Sequence, residues 1–138
     1  MKKLFTSQVS SKAGRSGSVQ SADNSINTKL GNPLEKGTPP GPNPETFFAA
    51  AYSACFHGAI LNSAKKHNVT LRDSTVTVYV SLNEDDQGGY FLSVEIVADM
   101  PGVQKIQQEQ ILKTAHETCP YSKLARGDTK VELRLKAD

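Results

Sequence analysis

The chain has 138 residues, 37% of them apolar and 22% charged, with no tryptophan and a formal net charge of +2. That length and balance describe a soluble globular chain able to bury a core, and exclude a disordered or fibrous one. The charge is small and its basic residues scattered, with only short pairs such as Lys65-Lys66, so no nucleic acid is expected as partner.

Met1–Phe5 has the basic start of a secretion signal, but Thr6-Ser7-Gln8 stand where its apolar stretch should follow. No window approaches the roughly 20 apolar residues of a membrane span. A cytoplasmic protein with no membrane partner is expected, as one domain over 1–138. Residues 4–10 and 17–30 carry short runs of Val, Ile, Thr and Leu broken by Gly and Asn, and read as two or three strands around a mobile turn at Ala13–Gly17. Residues 31–44 hold five of the seven prolines and read as an ordered connection or lid.

Asn43-Pro44-Glu45 predicts a helix start, with Asn as cap, Pro at the first position and an acid in the first turn. This helix runs to about Lys66, and its first half, Phe47 to Phe56, is apolar or small almost all round, which predicts burial. Alternation at Val76, Val78, Val80 and Leu82 predicts a strand over 70–82; a second, over 90–99, follows the turn Asp85–Gly89 to complete a hairpin. Pro101 opens a second helix, about 104–118, with Ile106, Ile111, Leu112 and Ala115 facing inward and Pro120 as its stop. A last strand is predicted at 129–136. This order implies an α+β fold with mostly antiparallel sheets. A wholly apolar central helix in so short a chain needs more cover than one sheet offers, so a tightly joined homodimer is expected.

In a reducing compartment two cysteines are more often catalytic, redox-active or metal-bound than a permanent staple. Cys55 lies in the most apolar stretch, where burial disfavours a thiolate, so taken alone it reads as a structural cysteine. Cys119 lies at the C-terminal end of the second helix, where the helix dipole opposes negative charge; it is the poorer thiolate and the better candidate for a resolving role. A zinc site competes because His57 and His116 are near in sequence. Two residues apart on a helix, Cys55 and His57 point about 200° apart and cannot grip one ion, and the remaining pair is too few ligands. No metal is expected, and the histidines read as a core-edge residue and a hydrogen-bonding support.

The stretch Asn43-Pro44-Glu45-Thr46-Phe47-Phe48-Ala49-Ala50-Ala51-Tyr52-Ser53-Ala54-Cys55-Phe56 resembles the helix of the organic hydroperoxide resistance branch of the OsmC/Ohr family. Ala115-His116-Glu117-Thr118-Cys119-Pro120-Tyr121-Ser122 and Ala125-Arg126-Gly127 resemble that family's second cysteine motif. The resemblance implies an intertwined homodimer and a cysteine-based peroxidase that reduces organic hydroperoxides. Cys55 matches the peroxidatic cysteine, Cys119 the resolving one, and Glu45 the glutamate of the Asn-Pro-Glu motif. Arg15 matches the arginine of a Gly-Gly-Arg turn, which here reads Ala13-Gly14-Arg15.

The chemistry suits these residue types. Attack on an O–O bond needs a thiolate, a guanidinium lowers the thiol pKa and steadies the leaving oxygen, and a carboxylate aims that guanidinium. The sulfenic acid formed at Cys55 then condenses with Cys119 to a disulfide. An apolar wall of Phe47, Phe48, Tyr52 and Phe56 would favour bulky organic peroxides. No bound cofactor is implied; the reductant would be an external dithiol, dihydrolipoamide or a lipoylated protein. Glu45 and Cys55, ten residues apart on one helix, stand about 15 Å apart along its axis, so the active group must be assembled by way of Arg15, from the same chain or the second subunit. The alternatives are a non-enzymatic redox sensor that uses the same disulfide, and an OsmC-type binding or structural protein with incidental cysteines.

Overall fold

A computed structural model describes residues 1–137. In chain order the elements are strands β1 (Val9–Lys12), β2 (Ser18–Ser21) and β3 (Asn27–Lys29), helix α1 (Pro44–Lys66), strands β4 (Thr75–Glu84) and β5 (Tyr90–Asp99), and helices α2 (Lys105–Thr118) and α3 (Pro120–Ala125). The fold is α+β, with every strand pair antiparallel. Two compact units divide it, Met1–Phe48 and Ala49–Asp138.

In the first unit β1, β2 and β3 form a meander, with Val9 opposite Ser21 and Ser18 opposite Lys29. The β1–β2 connection is a 3-10 turn at Gly14–Ser16, entered through left-handed backbone at Ala13 and Gly14, both at φ 61°. The sequence predicts a mobile turn there. Instead it is tied down, because Gly17 N–H donates to the Gly14 carbonyl and Ser16 Oγ bonds both Glu35 and Asn32. The proline-rich connection is folded back on itself. Gly31 N–H donates to the Pro42 carbonyl, and a Cβ on Gly31 would stand 2.6 Å from the Gly41 oxygen, so the two strands of this loop approach as only glycine permits. Asn43 caps α1 as expected, its Oδ1 accepting from Thr46 N–H at 2.8 Å.

In the second unit β4 and β5 make a hairpin in continuous register from Thr75–Asp99 to Glu84–Tyr90. Val76, Val78, Val80 and Leu82 lie on its half-buried face. The strand begins at Thr75 rather than at residue 70, because Asp73, at φ 56°, turns the chain just before it. Pro101-Gly102 form a turn with Gly102 at φ 77°, and α2 follows over Lys105–Thr118, as expected. On α2, Ile111 and Ala115 are fully buried, whereas Ile106 is 60% exposed and Leu112 38%, so the inward stripe is narrower than the apolar pattern suggests. Pro120 stops α2 as expected and also serves as the first residue of α3, a short helix the sequence reading did not anticipate.

The predicted strand at 129–136 does not form. The segment has the alternation of a strand, but Val131, Leu133 and Leu135 are 75%, 91% and 94% exposed, and a strand needs a partner to satisfy its backbone. Helix α1 is likewise buried on one stripe only, through Tyr52, Phe56, Ala59, Ile60, Ser63 and Ala64, while Ala50, Ala54, Gly58 and Leu61 are exposed. The core of the second unit is therefore small, and large side chains with no exposure, such as Ile111, carry much of its stability. Ile111→Ala should cost about 2–5 kcal/mol and Ile111→Val only about 0.5–1.5 kcal/mol, read from urea denaturation midpoints.

Candidate active site

The site residues named by sequence fall into two groups, one in each unit. In the first, Arg15 rises from the 3-10 turn and Glu45 from the first turn of α1. They meet as a bidentate pair, Nη1 to Oε2 at 2.9 Å and Nη2 to Oε1 at 2.5 Å. This fork-to-fork geometry fixes the plane of the guanidinium as well as its position. Gly17 is required by the same turn, since a Cβ there would run into the Lys12 carbonyl. Arg15's hydrogen bond holds the Glu45 carboxyl below its ordinary value against the opposing effect of burial, and the same bond raises the Arg15 pKa.

In the second unit the two thiols meet. Cys55 Sγ, on α1, and Cys119 Sγ, at the junction of α2 and α3, are 3.7 Å apart and unbonded. Cys119 has no solvent exposure; Cys55 is half-buried. Closing this gap to a disulfide bond of about 2.05 Å takes a displacement of less than 2 Å. Burial pushes the Cys55 thiol up. The Cys119 sulfur adds to this, since two neighbouring thiolates repel, while the backbone N–H of Tyr121 donates to the Cys55 sulfur and pulls the other way. That amide is available because Pro120 breaks the helix and restarts it.

Behind the sulfurs lies a chain of polar groups. Tyr52 OH, on α1, is 2.7 Å from Ser122 Oγ, and Ser122 Oγ is 3.0 Å from His116 Nδ1. Ser122 is wholly buried and Tyr52 3% exposed. The Tyr52 ring packs at 6.3 Å from Phe56 and 5.8 Å from Tyr121. Arg126 adds a second brace. Its guanidinium donates to the His116 carbonyl at 2.8 Å and the Glu117 carbonyl at 3.0 Å, setting a cation at the negative end of α2 immediately before Cys119.

Of the proposed apolar wall, Tyr52 and Phe56 are buried, and Phe47 and Phe48 are half-buried. Phe56 also lines a cavity of about 450 Å³ with Val94, Ile96, Leu112 and His116. His57 Nε2 lies 2.9 Å from Ser74 Oγ, and no group of three or more His, Cys, Asp or Glu among the described residues is arranged to hold a metal ion. The sequence reading missed the roles of the Tyr121 amide, Ser122 and Arg126. All three stand in the second cysteine motif, but only the fold shows what each one touches.

Residues 36–134 match the model of the OsmC-like protein family. The organic hydroperoxide resistance protein OhrB of Bacillus subtilis is 38% identical over 135 residues, covering 96% of this chain and 98% of the relative. The organic hydroperoxide resistance protein of Xanthomonas axonopodis pv. citri is 34% identical over 137 residues, covering 97% and 96%. The crystal structure of the Bacillus subtilis OhrB superposes with a TM-score of 0.84 at 37% identity, over 97% of this chain and all of that one.

One titration probes the Arg15–Glu45 pair directly. A carboxyl whose folded pKa is depressed adds stability above its unfolded pKa of about 4.3, and that contribution is lost as pH falls through the lower folded value. The side-chain 13C signal of Glu45 should therefore titrate below the ordinary carboxylate range, and Arg15→Ala should move its midpoint up. Motif, fold and relatives agree, and the chain belongs to the OsmC/Ohr family of organic hydroperoxide resistance proteins.

Proposed function

We propose that this chain is a thiol-dependent peroxidase that reduces organic hydroperoxides, including lipid hydroperoxides, to alcohols and so protects against organic peroxide stress. The observation that carries this reading is the pair of unbonded sulfurs at 3.7 Å, one on α1 and one where the chain breaks between two helices. The Cys55 thiolate attacks the peroxide, the O–O bond breaks, and Cys55 keeps one oxygen as a sulfenic acid while the other leaves as an alkoxide and is protonated to the alcohol. Cys119 then attacks the sulfenic sulfur, the S–O bond breaks, and water leaves with the proton of the Cys119 thiol. An external dithiol, dihydrolipoamide or a lipoylated protein, restores both thiols by exchange.

Burial alone opposes the Cys55 thiolate, so a cation has to serve it. We assign that task to Arg15, with Glu45 aiming the guanidinium, from the same chain or a second copy. Phe47, Phe48, Tyr52 and Phe56 supply the apolar surroundings that favour an organic substituent. A cytoplasmic homodimer is the proposed form. Its support is the exposed face of α1 at Ala50, Ala54, Gly58 and Leu61, together with the unpaired alternating segment from Val131 to Leu135.

Turnover of cumene hydroperoxide with dihydrolipoamide tests the chemistry. Cys55→Ser should abolish it; Cys119→Ser should react once and stall with Cys55 oxidised. Arg15→Ala should slow the first reaction on the order of 10²-fold or more, and Glu45→Ala should slow it less. A single stoichiometric oxidation in the unmutated protein, with no turnover, would favour the redox sensor instead. For assembly, sedimentation at micromolar concentration should show a dimer, and an active monodisperse monomer would rule the proposed form out.

A further inference from the structure

The hydrogen-bonded chain Tyr52–Ser122–His116, buried at Tyr52 and Ser122 and exposed at His116, joins the three elements that bear on the two sulfurs. Tyr52 stands three residues before Cys55 on α1, so both side chains share one face of that helix. Ser122 stands three residues after Cys119, on the first turn of α3, and His116 three residues before it, on the last turn of α2. Cys119 is the hinge between them. It closes α2, its N–H donating to the Ala115 carbonyl, and it leads α3, its carbonyl accepting from Lys123 N–H at 3.0 Å. A break between two helices is free to flex unless something spans it. The Ser122 hydroxyl does so, bonding one side chain from α2 and one from α1 at once.

The surroundings make this hydroxyl costly to leave without partners. Ser122 is fully buried, with 0% exposure. A hydroxyl in such a place is destabilising unless it is hydrogen-bonded, so the two bonds hold the turn in one arrangement. An alanine would fill nearly the same space without spanning the break.

We propose that Ser122 is a positioning residue for the resolving step: by pinning the Cys119 turn to Tyr52 on α1 and His116 on α2, it keeps the Cys119 sulfur within reach of an oxidised Cys55. This rests on the cysteine chemistry proposed above. The step it serves is balanced within the protein. Cys55–SOH and Cys119–SH give the disulfide and water, with no outside acid or oxidant. What the protein adds is proximity, and proximity is sensitive to displacements near 1 Å. The competing fate of the sulfenic acid is a second hydroperoxide molecule, which gives Cys55 sulfinic acid and another alcohol. Holding Cys119 close decides between these fates.

Rapid mixing of the reduced, full-length protein with cumene hydroperoxide separates the two steps. Dimedone-trapped sulfenic acid reports the first, disulfide formation the second, and mass spectrometry the sulfinic fraction. In Ser122→Ala the first step should stay within about threefold of wild type while the second slows by about tenfold or more, and sulfinic acid should accumulate. Ser122→Thr, which keeps the hydroxyl, should restore the second step. His116→Leu, which removes only the outer bond, should show the same pattern more weakly. Wild-type disulfide rates in both Ser122→Ala and His116→Leu would overturn the proposal. So would an equal loss of both steps that Ser122→Thr does not repair, since that is the mark of general structural damage. Absence of the first step in the unmutated protein would instead sink the peroxidase reading itself, and this inference with it.

Discussion

A half-buried thiol beside a second sulfur resists ionisation, and the second unit is organised around that difficulty. Cys55 lies on the helix face that also carries Tyr52 and Phe56, among the most buried side chains of the chain. Burial raises its pKa, and the neighbouring Cys119 sulfur raises it further. In the proposed mechanism the same apolar setting is what favours an organic substituent beside Cys55. Reactivity and selectivity thus pull against each other at one atom. Among the described residues the contribution that opposes this is a backbone amide, that of Tyr121. One neutral donor is a small counterweight to desolvation, which is why the proposed mechanism requires a cation that does not lose its proton. A lysine would be a poor choice, because an ammonium in an apolar setting gives its proton up more readily than a guanidinium.

Pro120 gives the second cysteine its geometry. Proline cannot continue α2, so the helix ends at Thr118, but its fixed φ suits the first position of a new helix. The result is a corner with Cys119 at its apex, Tyr121 N–H directed at Cys55, and Ser122 turned inward. For the resolving role proposed here, a cysteine in mid-helix would be held too rigidly to close the remaining distance, and one on a free loop would be held too loosely. A corner braced by Arg126 on the α2 carbonyls and by the Ser122 hydroxyl lies between these limits.

Much of this was legible in the sequence where local rules act alone. Asn43-Pro44-Glu45 fixes the start of α1 because cap, ring and charge all act within one turn, and the β4–β5 hairpin follows from alternation and the Asp85–Gly89 turn. Legibility failed where a left-handed residue displaced an element boundary, as Asp73 does for β4. It failed again on α2, where Ile106 and Leu112 carry the right side chains but lie at the edge of the buried stripe. The turn at Ala13 is instructive. Alanine stands where a glycine would fit the family motif, and its φ of 61° shows why, since left-handed backbone costs a residue with a Cβ about 1–2 kcal/mol. The turn keeps its shape regardless, with Arg15 fastened to Glu45 and Ser16 to Glu35. The two thiols were recognisable from motif alone, whereas the Tyr52–Ser122 bond spans 70 residues and no local pattern announces it.

The surface left bare by one chain follows from the same economy of length. The buried set of the second unit includes three alanines, two serines and a cysteine beside its few large side chains. Small residues on α1 let another backbone approach closely, and this chain covers one stripe of them itself, at Ala59, Ser63 and Ala64. The opposite stripe repeats the design, Ala50, Ala54 and Gly58 lying four residues apart and Leu61 extending the line. Alternation at Val131, Leu133 and Leu135 is a period-2 pattern, which has no physical use in an unpaired segment and a clear one in a strand with one face buried. A helix stripe that is smooth and apolar, and a strand pattern without a strand, both describe surfaces shaped for contact. In the proposed dimer each finds its complement in a second copy, and the core one chain is too short to complete is completed by two.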